Sequence, residues 1–71
     1  MSQLEKDQIR RAVEIVGSQK AMGEALRITP GFVSQWCNGT RQVSPRYCLK
    51  IQKLTKGKVK AVQLRPDIFG G

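Results

Sequence analysis

The sequence predicts an all-α domain, and three observations carry that prediction. Ser18, Thr29 and Ser44 each precede a run with helical periodicity, and proline follows directly in Thr29-Pro30 and Ser44-Pro45. Apolar residues recur at three- and four-residue spacing, as at Ile9, Ala12, Val13 and Val16, the stripe of an amphipathic helix. Gly17, Asn38-Gly39 and Gly57 stand where such runs stop, and these residue types tolerate the left-handed backbone of a helix end.

The elements follow in order. Ser2-Gln3-Leu4-Glu5 fits a capping box, which starts the first helix. Gly17 ends it. Ser18 caps a second helix in which Met22, Ala25 and Leu26 share a face, and Arg27-Ile28 connects it to the next. Thr29 caps the third helix with Pro30 at its first position, where the missing N–H is no loss. Val33, Trp36 and Cys37 make its inner face, and Trp36 is core because it is in phase with Val33. Thr40 to Val43 is a loop. Ser44-Pro45 restarts a fourth helix with Tyr47, Ile51 and Leu54 on one face. In the last stretch, Val59, Val62 and Leu64 follow neither a period of two nor one of 3.6. We expect a short fifth helix ending near Arg65, stopped by Pro66, with Ile68 and Phe69 packing back on the body or on a partner.

A chain of 71 residues makes one domain, residues 1–71, near the lower limit for a core that folds without help. It is too small to enclose a large substrate pocket. With no histidine and only Cys37 and Cys48, it lacks the ligands of a tetrahedral zinc site. We read the two cysteines as buried thiols in a reducing cytoplasm. No secretory leader or membrane-length apolar run is present, so a cytoplasmic protein without membrane association is expected. Paired carboxylates, an activated thiol and a phosphate-binding glycine motif are all missing, so neither an enzyme nor a cofactor nor a small-molecule substrate is expected.

Charge points to the partner. The net value is +8, and no acid occurs between Glu24 and Asp67. That interval holds Arg27, Arg41, Arg46 and Arg65 with five lysines. Such a half repels itself unless a polyanion is near, and nucleic acid is the commoner one for a domain of this size.

About three residues join the second and third helices, which suits two short helices crossing steeply, a helix-turn-helix. Gly23 fits the crossing, where a side chain would push the helices apart. If the third helix enters a major groove, Gln35 can bond adenine in bidentate fashion and Ser34 can bond several bases. Gly31 permits close approach. Phe32 could touch a thymine methyl or cover part of the core.

The stretch Gln19 to Trp36, "QKAMGEALRITPGFVSQW", resembles the helix-turn-helix of phage Cro and repressor proteins. "VSQW", then "NG", then the "SP" helix start and a closing "LRPDIF", resembles the YdaS/Cro-like group, and the similarity runs from Ala12 to Phe69. The resemblance implies a lambda-repressor-like fold of about five short helices. It further implies a transcriptional repressor that binds an inverted-repeat operator in double-stranded DNA. Two copies are expected, a homodimer formed in solution or only on DNA. By resemblance the base readers are Pro30, Gly31, Ser34 and Gln35, with Phe32 beside them. The backbone contacts are Gln19, Lys20, Thr29, Asn38 and Arg41. The chain departs from the group's pattern at Arg27, where a left-handed Gly is usual, and at Gly23, where Ala is usual. We expect residues Val59 to Phe69 to make the dimer surface. The competing reading is an antitoxin-like or other regulatory protein whose main partner is a protein, with DNA binding secondary.

Overall fold

The computed structural model describes residues 3–70, and the Ser2 side of the expected capping box lies outside them. Six helices appear there: α1 (Gln3–Val16), α2 (Gln19–Leu26), α3 (Pro30–Asn38), α4 (Pro45–Leu54), α5 (Ala61–Leu64) and α6 (Pro66–Phe69). No strand occurs among the described residues. α1 packs on α2, α3 and α5, and α4 packs on α5.

Each break has a local cause. Ser18 Oγ accepts the Ala21 N–H at 3.0 Å and so fixes the start of α2. Thr29 and Ser44 take the extended backbone of an N-cap, but neither side chain makes a capping bond. Pro30 and Pro45 set those starts instead, each at its helix's first turn. Arg65 leaves the helical region at φ −139°, ψ 73°, as a residue before proline is pushed to do. Pro66 therefore ends α5 and also opens a sixth helical turn, which the sequence reading did not anticipate.

The core gathers Ile9, Ala12, Met22, Leu26, Val33, Trp36, Val43, Cys48, Ile51, Val59, Ala61 and Leu64. The Trp36 and Tyr47 rings pack tilted at 5.6 Å between centroids. Two expected inner-face residues are not inside. Ala25 is exposed and Leu54 is 37% exposed, because both line an open cleft between the ends of α2 and α4. Both cysteines are free and buried.

The C-terminal segment belongs to this core. Val59, Ala61 and Leu64 are buried, which leaves Val62 and Ile68 as its exposed apolar residues. The expected dimer surface over Val59 to Phe69 is thus reduced to a small remnant. Buried Thr55 organises the approach to it. Its hydroxyl oxygen accepts the Val59 N–H at 3.1 Å and lies 3.0 Å from the Ile51 carbonyl, to which it can donate. Gln52 Oε1 accepts the Ala61 N–H at 2.8 Å and so caps the start of α5. Arg65 Nη1 donates to the Val43 carbonyl at 3.0 Å, which ties the segment to the loop after α3.

Candidate nucleic-acid interface

The angle between α2 and α3 is set at Gly23. A Cβ there would lie 2.8 Å from the Ile28 carbonyl oxygen and 3.3 Å from Pro30 N, both backbone atoms that cannot swing aside. The expectation of a crossing glycine is met, with the turn's backbone as the obstacle. The turn itself is left-handed at Arg27, φ 59° and ψ 43°. Arg27 thus adopts the conformation usually given to glycine, and the turn keeps its ordinary geometry. The Arg27 N–H donates to the Glu24 carbonyl at 3.2 Å and the Ile28 N–H to the Gly23 carbonyl at 2.8 Å, which closes α2.

α3 buries Val33, Trp36 and Cys37 and leaves its other face open. Of the residues expected to read bases, Pro30, Gly31 and Phe32 are exposed, and Ser34 and Gln35 are half-buried. Phe32 is 40% exposed and does not belong to the buried core. The Arg41 guanidinium lies 5.4 Å from the Phe32 ring centroid, a cation–π contact. The Arg41 N–H donates to the Gln35 carbonyl at 3.2 Å, which curls the loop back along α3.

The expected backbone contacts divide. Lys20, Thr29, Asn38 and Arg41 are exposed. Gln19, at the first position of α2, is half-buried. Asn38 Oδ1 accepts from Thr40 N at 3.0 Å and from Thr40 Oγ1 at 2.6 Å, so its oxygen belongs to the turn after α3.

Sequence reading missed the support at the far end of α3. Arg10 Nε donates to the Cys37 carbonyl at 3.0 Å, which places a cation on the negative end of the helix. The two residues are 27 positions apart, and no local pattern joins them. Gly39 has φ 83°, and a Cβ there would meet Lys6 Cδ at 2.8 Å. α1 thus presses on the end of α3. Burial pushes the Cys37 thiol up from its ordinary value, partly offset by Arg10 and Gln19. Burial likewise pushes Cys48 up to about 11. The exposed groups gathered on this side are hydrogen-bonding and cationic. No cluster of metal-ligating side chains occurs among the described residues.

A braced α2–turn–α3 unit with an open polar face, inside an all-helical chain with an acid-free half, is a small helix-turn-helix domain. The model of the family described as "Bacterial toxin YdaS" matches residues 9–71, and the chain belongs to that family. It is similar to "Putative transcriptional regulator YdaS" of Escherichia coli (strain K12), 41% identical over 59 residues. Those residues are 83% of this chain and 60% of the relative, so the chain spans about 60% of the length of the curated relative it matches. No solved structure matches the chain. Among the described residues no helix is long and apolar enough to cross a membrane.

Proposed function

We propose that the chain is a sequence-specific, double-stranded DNA-binding transcriptional repressor of the Cro type. It acts in the cytoplasm as a homodimer on an inverted-repeat operator, with no catalytic step of its own. The observation that carries this reading is the open face of α3, held by Gly23 at one end and Arg10 at the other. α3 enters the major groove, where Gln35 and Ser34 bond base edges and Pro30, Gly31 and Phe32 shape the approach. Lys20, Thr29, Arg41, the Asn38 amide nitrogen and Gln19 hold phosphates. The acid-free half supplies the long-range attraction. The relative's name, that of a transcriptional regulator, supports the same reading.

The test is selection of sites from a randomised duplex pool at near-physiological salt. The expected result is an enriched inverted repeat with half-sites about one helical turn apart or less. Retention of the pool without an enriched motif, released steeply by salt, would overturn the reading and leave a non-specific basic surface. The second reading, a regulator whose main partner is a protein, is favoured by the family's description as a toxin.

A further inference from the structure

The C-terminal end of α2 and the C-terminal half of α4 wall an open cleft of about 320 Å³. Ala25, Leu26 and Leu54 give it an apolar lining, and Arg27, Lys50 and Lys53 bring cations to it. No residue of α3 lines it. Ala25 and Leu54 were expected to be core and are instead open to solvent at this place.

We propose that this cleft docks an acidic protein segment carrying at least one large apolar side chain. Two independent features support that occupant. The first is charge complementarity. Three cationic residues share the lining with apolar ones and no carboxylate, an arrangement that repels itself until an anion arrives; Lys50 Nζ meanwhile lies 5.8 Å from the Tyr47 ring centroid. DNA phosphates could neutralise the cations but would leave the apolar lining bare. An acidic amphipathic segment satisfies both, with its apolar side chain on Leu26 and Leu54 and its carboxylates toward Arg27, Lys50 and Lys53. The second is the backbone of Arg27. Its left-handed conformation is strained for any residue with a Cβ, and glycine would hold the same turn without strain. Among the described residues no hydrogen bond or ion pair engages its guanidinium. No polar partner within the described residues offsets the strain, whereas a bound carboxylate supplies one.

The experiment uses two synthetic peptides of equal negative charge. Both are rich in Glu; one carries Leu at helical three- and four-residue spacing, and the other has Gln in place of each Leu. Each is titrated into isotope-labelled protein and followed by amide chemical shifts. The Leu peptide should shift Ala25 to Arg27 and Lys50 to Leu54, and bind about fivefold or more tighter than the Gln peptide. The double variant Lys50→Glu, Lys53→Glu should weaken it about tenfold. Arg27→Gly, which the turn accommodates without strain, should weaken it severalfold in a protein of undiminished stability. Equal binding of the two peptides, or shifts confined to residues outside the cleft, would overturn the proposal. These titrations contain no DNA, so their failure leaves the operator reading intact, and failure of the duplex selection leaves the cleft standing.

Discussion

Arg65 and Asp67 hold each other through two parallel bonds, Nε to Oδ1 at 3.0 Å and Nη2 to Oδ2 at 2.8 Å. The third nitrogen, Nη1, is left to donate to the Val43 carbonyl. Asp67 thereby orients a planar fork whose remaining arm closes the loop between α3 and α4. Asp67 is exposed, while the Arg65 side chain is 14% exposed. Most of the structural value therefore lies with the arginine and its carbonyl.

Arg65→Ala should destabilise the fold by about 1–2 kcal/mol, through the lost bond to the carbonyl of buried Val43 and the lost packing of its stem. Urea unfolding measures this; an unchanged midpoint would mean that the loop holds without the arginine. Asp67→Asn should act more weakly. Arg65 bonding lowers the Asp67 pKa, so its contribution is present above the ordinary carboxylate value and fades as pH falls through the lowered one. The difference between wild type and Asp67→Asn should therefore shrink in acid.

Gly23→Ala should destabilise by about 1–3 kcal/mol, although alanine is favoured by about 1 kcal/mol within a helix. The added Cβ meets backbone at 2.8 Å, and relief requires α3 to tilt. Operator affinity should fall with stability. A variant that gained stability would show that the crossing has slack.

Arg27→Gly should raise stability by about 0.5–1 kcal/mol, because the left-handed turn loses its steric strain. A shift of the thermal midpoint upward is the expected reading, and a downward shift would reveal a stabilising role of the guanidinium in the free protein.

Gln35→Ala should relax base preference at one position of each half-site by about 1–3 kcal/mol. Arg41→Ala should weaken all duplexes and make the salt dependence shallower by about one counterion. Because Arg41 lies over Phe32, the double variant Phe32→Ala, Arg41→Ala should lose less than the sum of the single losses. Competition binding on single-base operator variants separates these outcomes.

Alkaline stability should depend on Cys48. Burial holds its thiol pKa up at about 11 in the fold, whereas the unfolded thiol ionises near its ordinary value of 9.0. The unfolded chain then binds fewer protons, so stability is fully present below pH 9 and falls by about 1–3 kcal/mol towards pH 11. Cys48→Ala should flatten that decline, as urea midpoints across the range would record. In the native state both thiols should also resist thiol reagents.

What could be read from the sequence was local. Ser18, Pro30 and Pro45 mark helix starts through bonds and torsions that span only a few residues. Trp36 and Cys37 declare the inner face of α3 by their phase with Val33. Gly23 was legible because a mid-helix glycine needs a reason. The misses are contacts between distant segments. Arg10 on Cys37 and Arg65 on Val43 join residues 27 and 22 positions apart. Period alone placed Ala25 and Leu54 inside, yet burial depends on whether another element arrives to cover them. In the sequence "LRPDIF" carries only a resemblance. Its Arg and Asp form the clamp, its Leu fills the core, and its Pro opens α6.

The burial of Val59, Ala61 and Leu64 also has a meaning for synthesis. A ribosome makes α1 to α4 before the wall that closes them, so α3 and its supports wait on residues still inside the exit tunnel. A message cut between Gly57 and Leu64 would not yield a milder allele. It would yield a chain whose α1 and α4, with Ile9 and Ile51, lack their cover, which is a substrate for proteases.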